Sequence, residues 1–409
     1  MSKSANLTKS FSYMSLSNVV VIACTAFSTI LLARYLEPTE LGYYVAGQAF
    51  VEMFSFFFNM GFKNSMLQVA STNKDDFKEG LRTALGNALV IRAFVCMPVA
   101  GIIYLVASNV NHSDLMLKVI LANILIILCK SFTNVFGIAR RALNQFKLVA
   151  GLAAMNKVLS LAIIIVVFKY LGGIEMLLIC QVLVALIKVI VSFVTTIRLC
   201  PPKIELNKIK GMLKESFLFG VFDYLDDAQS KIDRLMLNYM LGPAAVAFYS
   251  IPAKLNRVIK IIPTSITQVF SPRLFKQNSD KEKYWKTINK IILLATATGL
   301  SIAAGIYFFS KPVLSLAFAA KYTKAIELAP LFAFVAVIWF LNLVPNLILA
   351  TRSDHKGRNT VQLISIIANI ALNFIWIPQF GIEGAIWATI AANSLKFACL
   401  QTRVAMTNG

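Results

Sequence analysis

The chain alternates between apolar blocks about twenty residues long and short polar intervals. As a helix rising about 1.5 Å per residue, such a block crosses about 30 Å of hydrocarbon. The pattern predicts about twelve spans, at 11–33, 41–61, 83–107, 115–136, 149–168, 175–197, 216–241, 245–270, 291–309, 328–350, 360–377 and 384–402. The intervals between them are short, so little of the chain reaches into water. One block breaks the rule. Residues 217–241, FLFGVFDYLDDAQSKIDRLMLNYML, are apolar at both ends but carry Asp223, Asp226, Asp227, Lys231, Asp233 and Arg234 in the middle.

Composition bears on what such a chain can be. Of 409 residues, 58% are hydrophobic and 14% charged, whereas soluble domains run near about 25% charged. A water-soluble fold is excluded. The net charge of +21 is distributed unevenly: Lys and Arg collect at 3–9, 63–82, 140–147, 198–214, 273–290, 352–358 and Arg403, while the alternate intervals hold Arg34, Lys169, Lys311, Lys321 and Lys324. Positively charged intervals stay cytoplasmic, so both termini are predicted inside. This topology, with anionic headgroups as partners, accounts for the basicity without nucleic acid. The run through Val21 and Cys24 continues to Leu32, as a retained first span would. The six cysteines form no CxxC pair and read as packing residues, with no disulfide or metal implied. The two histidines, His112 and His355, lie in loops. No phosphate loop, nucleophile elbow or large extramembrane segment supports an enzyme. Transport is the class that remains, with no cofactor expected.

Transporters are commonly built from repeats. YLEPTELGYYVAG at 35–47 matches YMLGPAAVAFYSIPAKL at 239–255, with Pro38 against Pro243 and Tyr44 against Tyr249, a constant offset of 205 residues. LTKSFSYMS at 7–15 and MLKESFLFG at 212–220 open the two halves. An even number of predicted spans separates equivalent positions, so the repeat is parallel, about an axis along the membrane normal. The predicted fold is an all-α polytopic membrane protein with two six-helix lobes around a central cavity: lobe 1–197, basic cytoplasmic linker 198–215, lobe 216–409.

LLARYLEPTELGYY, the DYLDDAQSKIDRLMLNYMLGPAAVAFYSIPAKL block, KYTKAIELAP and the closing IIANIALNFIWIPQFGIEGAIWAT block resemble polysaccharide-export flippases of the Wzx type. These belong to the superfamily that includes multidrug and toxin extruders, and the resemblance covers nearly the whole chain. It implies a MATE-like fold in a bacterial inner membrane and an undecaprenyl-diphosphate-linked oligosaccharide, such as an O-antigen unit, moved from the cytoplasmic to the periplasmic leaflet. It also implies a polysaccharide polymerase and a chain-length regulator as neighbours. A monomer with its own cavity suffices.

The residues support a polar passage independently of that resemblance. A charge at the bilayer centre costs roughly 2.5–3.5 kcal/mol on insertion scales, so it normally faces protein or a wet cavity. Asp223, Asp227, Ser230 or Lys231, and Arg234 recur at helical spacing and form one stripe. The next span adds Lys254 and Arg257, and the repeat offset places Glu52 opposite Arg257 in the other lobe. Arg257, Lys254, Lys231 and Arg234 are the candidate cations for a diphosphate or acidic sugar, since Arg grips phosphate bidentately and Lys acts as a point charge. Glu52, Asp223 and Asp227 are the candidates for exchanging protons or sodium to drive cycling. The bland alternative for Asp227 and Lys231 is a salt bridge that only neutralises buried charge. Arg92, Lys130, Lys157 and Lys188 are candidates for a basic vestibule, while Lys118 and Lys396, near span ends, are expected to snorkel. Asp226 and Asp233 point off the stripe, toward other helices. Two other functions compete: a multidrug extruder, which favours acidic cavity groups, and a non-transporting scaffold for glycan-assembly enzymes, which gives central charges no role.

Overall fold

Hydrocarbon offers a backbone no hydrogen-bond partner, so a spanning segment must satisfy its amides internally. The computed structural model describes residues 2–72, 77–110, 113–277, 280–318, 320–352 and 354–406, with side chains for most of them, and they are helical almost throughout. The order is α1 (Ser2–Tyr35), α2 (Pro38–Met53), α3 (Ser55–Asn59), α4 (Phe62–Thr72), α5 (Phe77–Asn109), α6 (Asp114–Ala142), α7 (Phe146–Val166) and α8 (Ile174–Ile197). It continues with α9 (Leu206–Leu241), α10 (Pro243–Ile259), α11 (Ile261–Gln277), α12 (Lys281–Ala317), α13 (Thr323–Leu328), α14 (Phe332–Thr351), α15 (His355–Phe380) and α16 (Ile382–Met406). Among the described residues, 8 helical stretches are long and apolar enough to cross a membrane, and the protein is a multi-pass membrane protein. The remaining predicted spans fall on α2 with α3, α9, α10 with α11, and α16, which hold the helix breaks or polar residues within apolar sequence.

Local chemistry explains where helices start and stop. Ser113 caps α6 by accepting from Met116 N at 3.3 Å, and Asp280 caps α12 by accepting from Lys283 N at 3.1 Å. Asp354 caps α15 by accepting from Gly357 N at 3.0 Å, and it also receives Arg403 Nε at 2.7 Å, tying the start of α15 to the end of α16. Between α3 and α4 the chain turns through two left-handed residues, Met60 at φ 40° and Gly61 at φ 61°. Met60 is not a residue type that favours this region, and buried packing holds it there: it is 4% exposed, against Phe62, Leu81 and Leu85.

The chain divides into two compact units, the first comprising Met1–Leu36 with Gly47–Tyr224, the second Glu37–Ala46 with Leu225–Gly409. In the first unit, α4, α5 and α6 pack around Met66, Leu81, Leu85 and Val135, and α1 lies along α7, where Ser17 Oγ donates to the Ala150 carbonyl at 2.8 Å. In the second, α11, α12, α14 and α16 enclose a core including Ile288, Phe340, Leu347 and Leu400. Gly42 sits against Pro243 in that unit so closely that a Cβ would fall 1.8 Å from the Pro243 carbonyl oxygen.

The basic segment after α8 is fastened to α5. Lys203 N donates to Arg82 O at 3.0 Å, Arg82 Nε donates to Pro201 O at 3.1 Å, and Glu205 N donates to Asn87 Oδ1 at 2.9 Å. Thr83 Oγ1 donates to Glu205 Oε1 at 2.8 Å, and Lys203 pairs with Glu79 at 2.8 Å. Hydrogen bonds from Lys208 and Thr83 hold the Glu205 carboxyl below the usual carboxylate range. The close approach requires Gly86, whose added Cβ would meet the Lys203 carbonyl oxygen at 2.2 Å. Gly86→Ala is therefore expected to destabilise the protein by about 1–3 kcal/mol, the usual cost of overpacking. Gly151→Ala, which meets nothing within 4 Å, is expected to leave stability unchanged or raise it slightly. Unfolding temperatures in detergent compare the two, and equal midpoints would refute the fastening.

Candidate functional site

Two polar centres occupy the second unit. The first is a carboxylate. Asp233, 1% exposed on α9, accepts at Oδ2 from Tyr249 OH at 2.9 Å and from Thr389 Oγ1 at 2.8 Å, and at Oδ1 from Asn373 Nδ2 at 2.8 Å. α10, α15 and α16 thus each send one neutral donor to it. Asn373 Nδ2 also donates to Asn369 Oδ1 at 3.3 Å. Asn373 Oδ1 and Asn369 Nδ2 have no hydrogen-bond partner among the described residues. Burying an ionised carboxylate is expensive unless its charge is met. Here the donors are all uncharged, so they orient the group without cancelling its charge.

The second centre joins two guanidinium groups. Arg234, one residue along α9 and 8% exposed, donates from Nε to the Ser230 carbonyl at 2.9 Å and from Nη2 to Ser230 Oγ at 3.4 Å. Arg257 on α10 is exposed and donates from Nη2 to the same hydroxyl at 3.2 Å. Lys231 is buried at 6% exposure, and Lys254 is half-buried on the same helix as Arg257. The side chains of Asp223 and Asp227 lie outside the described residues.

The first unit holds the other expected residues. Glu52 is half-buried near the end of α2. Arg92 is 2% exposed; its guanidinium donates to the Phe58 carbonyl, reaches the Asn59 carbonyl at 3.5 Å and lies 4.7 Å from the Phe62 ring centroid. It therefore closes the C-terminal end of α3, where helix carbonyls are unsatisfied and the dipole favours a cation. Lys130, Lys157 and Lys188 are close enough for their charges to interact, and that group includes Arg140. Lys118 is exposed and pairs with Asp114 at 2.7 Å and Glu175 at 2.9 Å, as a residue at a span end can. Lys396 differs from expectation: it is 9% exposed, because it continues the buried face of α16 formed by Thr389, Asn393 and Leu400.

Sequence reasoning placed Asp233 off the stripe and toward other helices, as found, but assigned it no functional role, and it did not single out Arg140. A signal for the carboxylate site was present in the spacing of Asn369 with Asn373 and of Thr389 with Asn393, each pair i,i+4 within an apolar span.

With this geometry in place, comparison with known proteins identifies the class. Residues 31–327 match the model of a family described as polysaccharide biosynthesis protein, and the chain belongs to that family. It is 19% identical to the capsular polysaccharide biosynthesis protein CapF of Staphylococcus aureus, with 93% of this chain and 94% of the relative covered. It is 22% identical to a Shigella flexneri protein named as an O-antigen transporter, with 91% and 92% covered. Among solved structures, the lipid II flippase MurJ in an inward closed conformation superposes with a TM-score of 0.76 at 16% identity, covering 96% of this chain and 87% of that one. An inward-facing multidrug resistance transporter of the MATE family in the MOP superfamily gives 0.70 at 14% identity, covering 94% and 95%. The fold is shared with these two structures, and the chain has the helical membrane fold that the resemblance in sequence implied.

The Asp233 centre makes a stability prediction. Asp233→Ala strips three buried donors of their acceptor, at about 1–3 kcal/mol for a buried group left unsatisfied. Asp233→Asn keeps two acceptor positions' worth of shape and one carbonyl oxygen. The alanine variant is expected to unfold at a clearly lower temperature than the asparagine variant in detergent; equal midpoints would mean that the network contributes nothing.

Proposed function

We propose that the protein is a flippase that moves an undecaprenyl-diphosphate-linked oligosaccharide, of the O-antigen or capsule type, from the cytoplasmic to the periplasmic leaflet of a bacterial inner membrane. The observation that carries this reading is the convergence of Arg234 and Arg257 on Ser230 Oγ within helices of a membrane protein. Two forks directed at one hydroxyl make a site for a group with several anionic oxygens, which each fork can engage bidentately. Lys231 and Lys254 on the same two helices add point charge. Membership of a polysaccharide biosynthesis family and likeness to a lipid II flippase support the same cargo class.

Transport proceeds by alternating access, in which the headgroup site faces one side of the membrane and then the other while the prenyl tail remains in lipid. For driving it, Asp233 is a further candidate beside the acids the sequence suggested. Its carboxylate is closed off from water and held by uncharged donors, and the adjacent Asn373 Oδ1 is an acceptor still without a partner among the described residues. A proton or a sodium ion supplies the missing charge, and its arrival or departure changes the energy of burying that group.

In the native host, deletion of the gene is expected to trap lipid-linked oligosaccharide in the inner membrane and to remove the surface glycan. The wild-type gene restores export; Arg257→Ala is expected to reduce it severely at normal protein abundance, with Arg257→Lys retaining part. Asp233→Asn is expected to remove the dependence on the ion gradient. Unchanged surface glycan after deletion, with altered sensitivity to cationic drugs, would instead support an extruder.

A further inference from the structure

A second cationic site lies wholly within the first unit, among α6, α7 and α8. A cavity of about 130 Å³ there is lined by Arg140, Arg141, Lys188, Ser192, Thr133 and Asn134. Arg140 is 2% exposed; one of its terminal nitrogens donates to the Ser192 carbonyl at 3.4 Å, and its Nε has no partner among the described residues. Arg141 is half-buried beside it. The charge of Lys188 interacts with those of Arg140, Lys130 and Lys157, and the charge of Arg140 with that of Arg141. Among the described residues, none of these five forms an ion pair with a carboxylate.

Five mutually repelling cations in a membrane bundle are costly unless something answers them. Elsewhere two cations have protein partners: Lys118 has two acids and Arg92 has helix carbonyls. An anionic ligand would answer the charge of this cluster. Its depth selects which one, because Arg140 and Arg141 stand in the last turn of α6, on the side predicted to be cytoplasmic, while Lys157 and Lys188 lie further into the spans. Two guanidinium forks and a lysine can engage more anionic oxygens than one phosphodiester carries.

We propose that this pocket binds the diphosphate of a prenyl-diphosphate lipid in the cytoplasmic leaflet, as a capture site separate from the Arg234 and Arg257 centre. The inference rests on the transport function proposed above. Arg140, locked by Ser192, is the fixed element; Arg141 and Lys188 close on the phosphates; Lys157 and Lys130 extend the positive potential into the bundle and draw the headgroup inward.

The test uses the full-length protein in nanodiscs of phosphatidylcholine, with farnesyl diphosphate as the probe and farnesyl phosphate and phosphatidylglycerol as competitors. Wild-type protein is expected to bind the diphosphate at least tenfold more tightly than either competitor. Lys188→Gln and Arg141→Gln are each expected to weaken that binding at least tenfold, whereas Lys169→Gln, outside the pocket, leaves it unchanged. Should a Gln variant fail to fold, Lys188→Arg and Arg141→Lys must retain binding and Lys157→Gln must weaken it. Equal competition by phosphatidylglycerol would show a site for bulk anionic lipid and overturn the proposal, as would pocket variants that bind like wild type. Failure of wild-type protein to restore export in cells would sink the transport function while leaving the binding result intact, so the two failures are separable.

Discussion

Hydrocarbon cannot solvate charge, and the chain's charged positions are organised around that fact. Each buried ionisable group must find a counter-charge, a set of dipoles or a ligand. Arg92 finds dipoles: the last carbonyls of α3 and the face of Phe62 take its guanidinium, and the broken helix between α2 and α4 depends on it. Asp233 finds three donors but no cation among them. Arg234 and Arg257 share a hydroxyl, and the cluster around Arg140 shares an empty volume. The first arrangement is complete as a structure. The other three are the places where the proposed function puts a mobile ion or an anionic headgroup.

The same constraint governs backbone geometry. A helix break inside a membrane frees carbonyls and amides that lipid cannot satisfy, so breaks survive only beside groups that can. The break at Met60 and Gly61 is packed under α5 and closed by Arg92. The one at Lys260, between α10 and α11, is accompanied by that lysine lying 5.6 Å from the Trp339 ring centroid. The segment after α8, predicted as a basic cytoplasmic linker, is held by hydrogen bonds to α5 because Gly86 leaves room for its backbone.

The helical membrane fold was legible from hydropathy, since blocks of about twenty apolar residues admit few alternatives, and the exporter family was legible from the quoted blocks. The site was legible only in part. Helical spacing placed Arg234, and the charge pattern of the next span placed Arg257, among the candidates; the structure joins them through Ser230. Spacing could not reveal Asp233 as a centre, because its partners come from α10, α15 and α16, and contacts between distant segments leave no periodic trace in a chain. Lys396 was misread for a related reason: distance from a span end says nothing about which face of α16 its neighbours cover. Lys188 and Lys157 were grouped with Arg92 and Lys130 as a basic vestibule. Arg140, which lies beside them, was read only as part of a positive cytoplasmic interval.

The central claim is that these buried charged centres perform transport. Its most direct test is a reconstitution: purified protein in liposomes carrying a fluorescent prenyl-diphosphate-linked disaccharide, with its inward and outward populations read by chemical quenching under an imposed proton or sodium gradient. The account predicts that wild-type protein accelerates exchange between leaflets in a gradient-dependent way. It also predicts that a variant carrying both Arg257→Ala and Asp233→Asn, though folded, does not. Exchange no faster than in protein-free liposomes, or undiminished exchange by the double variant, would contradict it.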